Sequence, residues 1–171
     1  AWRMPRTTVA IAAPVVGVID SGGNCPINRY MTEEAILNPP KDAHGPQAIV
    51  TANAAVSAAA FHTLGGFDTT YPFAAGEDLD LGVRLRRLGL IGWAPRAVVA
   101  HQFMESEDDL RRRFRRYGAG TAHLALTLGL PSLRVQAIVA RDPALQHLAD
   151  AQVLAMRSGY DAHNAPRVLL E

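Results

Sequence analysis

The chain has 171 residues, 49% hydrophobic and 19% charged, which is enough apolar material for a core and the size of one domain or most of one. Its formal net charge of +1 removes any bulk attraction for a polyanion. Cys25 is the single cysteine, which excludes an intrachain disulfide and a cysteine-based zinc site.

Thr8 to Ile19 reads as one or two buried strands, carried by Val9, Ile11, Val15, Val16, Val18 and Ile19 and broken by Pro14 and Gly17. Asp20 to Asn28 and Asn38 to Pro46 are turn-rich. Between them, Met31 to Leu37 predicts a short helix capped by Thr32. Ile49, Val50 and Thr51 predict a short strand leading to Asn53. Ser57 offers an N-cap for a helix over Ala58 to Leu64, and Gly65-Gly66 supplies a left-handed stop. Phe67 to Gly76 is a loop with aromatic anchors at Phe67, Tyr71 and Phe73.

Leu81, Leu85 and Leu88 recur at i, i+4 and i+7, which predicts a helix from about Asp78 to Leu88, ended by Gly89. Leu90 to Trp93 and Ala97 to His101 are two short strands separated by Pro95. Ser106 with Asp109 resembles a capping box. The helix it opens places Glu107, Asp108 and Asp109 four residues ahead of Arg111, Arg112 and Arg113, the favourable order for ion pairs. A last helix is predicted from Pro143 to about Ser158, with a loose tail from Gly159 onwards.

The sharpest chemical signal is Gly76-Glu77-Asp78-Leu79-Asp80-Leu81, three carboxylates at the mouth of a helix. The positive end of the macrodipole favours ionised acids there, and an ionised Asp in a cleft can take a proton from a substrate hydroxyl. Acids also belong in the first turn of any helix, so the pattern alone leaves both readings open. His101 leaves a hydrophobic strand and suits a metal ligand, a base or a polar surface residue. Arg111, Arg112, Arg113, Arg115 and Arg116 crowd one helix. A solvated, salt-bridged helix accounts for them; a surface for acidic lipid headgroups or for a phosphorylated acceptor is the other option. No phosphate-loop, dinucleotide-binding or nucleophile-elbow pattern occurs.

In order along the chain stand Thr51-Ala52-Asn53, Gly65-Gly66-Phe67-Asp68, and Gly76-Glu77-Asp78-Leu79-Asp80-Leu81-Gly82-Val83-Arg84-Leu85. Gly89, Pro95, Val98, Val99 and His101 follow. This ensemble resembles the C-terminal, acceptor-side half of a family 2-like glycosyltransferase with the GT-A fold, and is similar to the galactosyltransferase C-terminal domain. The resemblance covers about residues 47 to 103 and weakens over Arg111 to Leu124. It implies that Asp78 is the base that deprotonates the acceptor hydroxyl. Glu77, Asn53 and Asp80 would contact the acceptor, and His101 would complete the coordination of a divalent metal, Mn2+ or Mg2+. Gly65, Gly66 and Phe67 would shape the loop beneath.

The same resemblance implies a partial GT-A fold of α/β or α+β class, a mixed sheet with flanking helices. Residues 1–125 would form the C-terminal half of the transferase domain and 126–171 a helical extension. The only Asp-x-Asp is Asp78-Leu79-Asp80, so the metal motif of a nucleotide-binding half is missing, and the isolated chain is expected to be inactive. The implied activity is inverting, metal-dependent transfer from a nucleotide-sugar donor to a glycan, lipid-linked or small-molecule acceptor. The alternative is a non-catalytic remnant or interaction module of the same fold. No nucleic-acid partner is expected; self-association through an exposed sheet edge is. Ala1 to Arg6 lacks the apolar stretch of a signal peptide, and Leu124 to Leu133 is too short to span a membrane. A cytoplasmic location is expected, with peripheral membrane contact through Arg111 to Arg116 as an option.

Overall fold

The computed structural model describes residues 7–17, 25–103, 106–131 and 134–164. They form β1 (Thr8–Ala12), β2 (Val15–Gly17), α1 (Pro26–Glu33), β3 (Lys41–Asp42), β4 (Gly45–Pro46), β5 (Ala54–Val56), α2 (Ala58–Thr63), α3 (Glu77–Leu88), β6 (Leu90–Trp93), β7 (Val99–His101), α4 (Glu107–Thr127) and α5 (Gln146–Asn164). Single 3-10 turns occupy Thr51–Asn53 and Pro143–Leu145.

The result is a mixed α/β fold. β1 is the middle of a three-stranded sheet, antiparallel to β5 and parallel to β6. Pro14 cannot extend the ladder, and the chain resumes as β2, which pairs in parallel with β7 so that Gly17 faces His101. The pleat of β1 turns Ala10 and Ala12 inward, while Ile11 stays 43% exposed. Beneath these alanines lie Leu81 and Leu85 of α3, both fully buried, with Ile49 and Ile91. Leu88, the third residue of the predicted stripe and the last of α3, is instead 44% exposed.

A second core joins α1, α4 and α5 through Ile27, Met31, Leu110, Phe114 and Leu148. The buried Tyr30 hydroxyl donates to Gln152 Oε1 at 2.8 Å, which ties α1 to α5. The boundary expected after residue 125 falls inside α4, and α5 shares this core with the chain before it. α4 and α5 cross in backbone contact. A Cβ on Gly118 would stand 2.0 Å from the Met156 carbonyl oxygen, and one on Gly159 only 1.8 Å from that of Arg115.

Several local expectations are corrected. The first helix is α1, not Met31 to Leu37: Pro26 opens it at its first turn, where proline's fixed φ helps and its missing N–H costs nothing. The strand expected at Ile49 to Thr51 gives way to extended Val50, the 3-10 turn and then β5. The strand expected from Ala97 is ordered as a ladder only from Val99. α5 runs past Gly159 to Asn164, because that glycine serves close helix contact rather than termination. The strand expectations at Val18 and Ile19, and the turn from Asp20 to Asn24, lie outside the described residues.

Candidate active site

Gly76 starts α3 from the left-handed region, at φ 93°, where L side chains are strained. Here α4 lies against the preceding loop: a Cβ on Gly120 would be 2.2 Å from the Ala75 oxygen. This glycine contact brings the middle of α4 opposite the acids of the α3 N-terminus. The space between them is a cavity of about 570 Å3 lined by Glu77, Asp78, His101, Arg113, Arg116 and Tyr117, among others.

Asp78 occupies the first turn, and its carboxylate is held on both oxygens. Oδ1 accepts the Leu79 N–H at 2.8 Å, and Oδ2 accepts the Thr51 N–H at 3.1 Å, with the Thr51 hydroxyl 3.4 Å away. Among the described residues, Glu77 Oε2 and His101 Nδ1 are buried without a hydrogen-bond partner. Groups left this way carry a desolvation cost that a ligand can relieve. The His101 ring rests on Phe103, centroid to centroid 5.1 Å. Burial pushes the Tyr117 hydroxyl up in pKa, against the pull of the Arg113 and Arg116 guanidiniums, so the phenol stays protonated at neutral pH.

The arginine cluster divides. Arg111 pairs with Glu107 at 3.0 Å, and Arg112 pairs with Asp109. Ser106 caps the helix by accepting the Asp109 N–H at 3.2 Å, and its hydroxyl, then Arg112, hold the Asp109 carboxyl below the usual range. Arg113 and Arg116, by contrast, face the cavity, and among the described residues neither has a carboxylate within ion-pair distance. Residues 113, 116 and 117 share one helical face. That spacing is the signal which treating the cluster as a single surface overlooks.

Two residues expected at the acceptor are held elsewhere. Asn53 Nδ2 donates to the Pro14 carbonyl at 2.9 Å and to that of Ala97 at 2.7 Å, fastening the links on either side of the two sheets. Asp80 is 1% exposed and accepts from Arg84 Nε at 2.8 Å. Arg84 also donates to Leu64 O at 3.1 Å and Gly66 O at 2.9 Å, so this pair braces the Gly65-Gly66 turn against α3. Neither Asn53 nor Asp80 lines the cavity.

Residues 37–160 match the family model described as glycosyl transferase family group 2. The chain belongs to this family. No curated protein and no solved structure matches it. All the cavity residues named above lie within the matched stretch of this group 2 chain. Members with the GT-A fold are often metal-dependent, so the donor set bears testing. Among the described residues no three His, Cys, Asp or Glu side chains come together to hold an ion. His101 brings one nitrogen, whereas Mn2+ and Mg2+ ask for several oxygen-rich donors. The described residues alone do not fit the ion. Among them, no helix is long and apolar enough to cross a membrane.

Proposed function

We propose that this chain is the acceptor-side module of a group 2 glycosyltransferase on a partial GT-A architecture. Its described residues bring together no metal-binding cluster for a nucleotide-sugar donor. The observation that carries this reading is the cavity shared by an oriented Asp78 carboxylate and two arginines that have no acid partner among the described residues.

In this reading Asp78 is the base, and Glu77, with its unpartnered Oε2, accepts a hydrogen bond from a second hydroxyl of the acceptor. Arg113 and Arg116 hold an anionic group, such as the phosphate of a phosphorylated acceptor. The chemistry served is inverting transfer. The acceptor oxygen attacks the anomeric carbon as Asp78 takes its proton, and the bond to the nucleotide diphosphate breaks without a covalent intermediate. The leaving diphosphate needs its charge neutralised. His101 is the implied metal ligand, and one imidazole does not supply that. In this reading the described residues serve the acceptor, and turnover requires donor-binding residues beyond them.

The test is thermal unfolding with uridine, guanosine and thymidine diphosphate sugars, each with and without Mn2+. No metal-dependent stabilisation is expected. A rise in Tm that needs both one nucleotide and Mn2+ would overturn the donor-free reading.

A further inference from the structure

We propose that Thr51 is a positioning residue that fixes the orientation of the Asp78 carboxylate; the inference rests on reading Asp78 as the base. Thr51 is the first residue of a 3-10 turn, a position whose N–H has no partner within the turn. That spare donor goes to Asp78 Oδ2 at 3.1 Å, and the threonine hydroxyl stands beside it at 3.4 Å. Other threonine hydroxyls, those of Thr63 and Thr121, donate to the carbonyl four residues back in their own helices. Thr51 instead reaches across 27 positions of chain to a carboxylate.

The platform behind it is fixed. The Asn53 N–H closes the turn on Val50 O at 3.2 Å, and the Asn53 carbonyl accepts the Ala13 N–H at 3.1 Å. The Asn53 side chain ties the turn to Pro14 and Ala97. With the Leu79 N–H on Oδ1, three protein donors address a carboxylate that offers about four acceptor sites. The remaining site is the one a ligand hydroxyl can use, so the donors select both the rotamer and the free lone pair. Asn53 thereby serves the site at one remove.

The decisive variant is Thr51→Pro. Proline suits the first position of a helical turn, and Val50 already has the extended conformation (φ −121°, ψ 120°) that a residue before proline adopts. The substitution removes both Thr51 donors. Three-bond couplings between the α- and β-protons of Asp78 in the folded chain should report one side-chain rotamer in the wild type. They should report the same in Thr51→Ser and an average over rotamers in Thr51→Pro. A single rotamer retained in folded Thr51→Pro overturns the proposal. Where Thr51→Pro does not fold, solvent exchange of the Thr51 amide in Asp78→Ala decides. Exchange faster by about tenfold is expected, and an unchanged rate overturns the proposal. None of these measurements needs transfer to occur. An Asp78 held by Thr51 in a chain that binds no acceptor would remove the base assignment and leave the positioning intact.

Discussion

Gly120 and Ala75 touch through their backbones: a Cβ added at Gly120 would stand 2.2 Å from the Ala75 oxygen and 2.7 Å from its carbonyl carbon. This contact sets how closely α4 approaches the loop that delivers Glu77 and Asp78, and so the width of the cavity between them. Two opposed terms decide the outcome of Gly120→Ala. Helix propensity favours alanine by about 1 kcal/mol. Overpacking against backbone, which cannot rotate aside as a side chain can, costs about 1–3 kcal/mol. A net loss of about 1 kcal/mol is expected in urea unfolding, together with displaced amide resonances for Glu77 and Asp78. Unchanged resonances at those two residues would show that the contact does not set the site.

α1 ends in a Schellman turn made with alanine. Ile36 N–H donates to Met31 O at 3.1 Å and Ala35 N–H to Thr32 O at 3.0 Å, which forces Ala35 to φ 52°. At the ends of α2 and α4 the same position is filled by Gly65 and Gly129, at φ 74° and 62°. The left-handed conformation costs an L residue roughly 1–2 kcal/mol, and glycine returns about 0.4–1 kcal/mol of that through the freer unfolded chain. Ala35→Gly should therefore stabilise the protein by about 0.5–1 kcal/mol, read as a higher urea midpoint at unchanged slope. A lower midpoint would contradict this account of the turn.

These two glycine cases show where the sequence was legible. Gly65-Gly66 after an amphipathic run, Ser57 and Ser106 before helices, and Leu81 with Leu85 all carry local chemistry that fixes an element wherever it stands. Ala35 carries no such mark, since the hydrogen bonds around it, not its side chain, require the left-handed turn. Gly159 was misleading because a glycine has two uses, stop or close contact, and only the packing of α4 against α5 chooses. The site divides in the same way. Glu77, Asp78 and His101 stand out by type and by resemblance to a family, but the part of Thr51 rests on a backbone N–H, which every residue except proline has. Arg113 and Arg116 are separated from their neighbours only by which face of α4 turns toward the cavity.

Asp80 was expected at the acceptor and is found paired beneath the Gly65-Gly66 turn. If bracing is its work, the consequence of removing its partner is thermodynamic. Arg84→Met leaves a carboxylate 1% exposed without its counter-ion and two loop carbonyls without their donor. Losing one member of a buried pair costs about 3–5 kcal/mol. Arg84 retains 20% side-chain exposure, so water can reach part of the site, and a loss of about 2–3 kcal/mol is expected from chemical denaturation. A loss under about 0.5 kcal/mol, the level of an ordinary surface change, would show that Asp80 is free for another role.

Arg113 and Arg116 give the reading of the cavity its sharpest electrostatic consequence. In the proposed reading, two guanidiniums with no carboxylate partner among the described residues, beside a protonated Tyr117 hydroxyl, form a site for a doubly charged oxyanion. Inorganic phosphate and pyrophosphate should raise the Tm of the wild-type chain, and added neutral salt should weaken the effect. Arg113→Met with Arg116→Met should abolish the stabilisation. Arg111→Met with Arg112→Met should preserve it, because those two charges are already committed to Glu107 and Asp109. The two double variants separate binding at the cavity from general attraction to a basic helix. Equal losses in both would mean that phosphate reads only the charge of α4, and the anionic-acceptor assignment would fail with it.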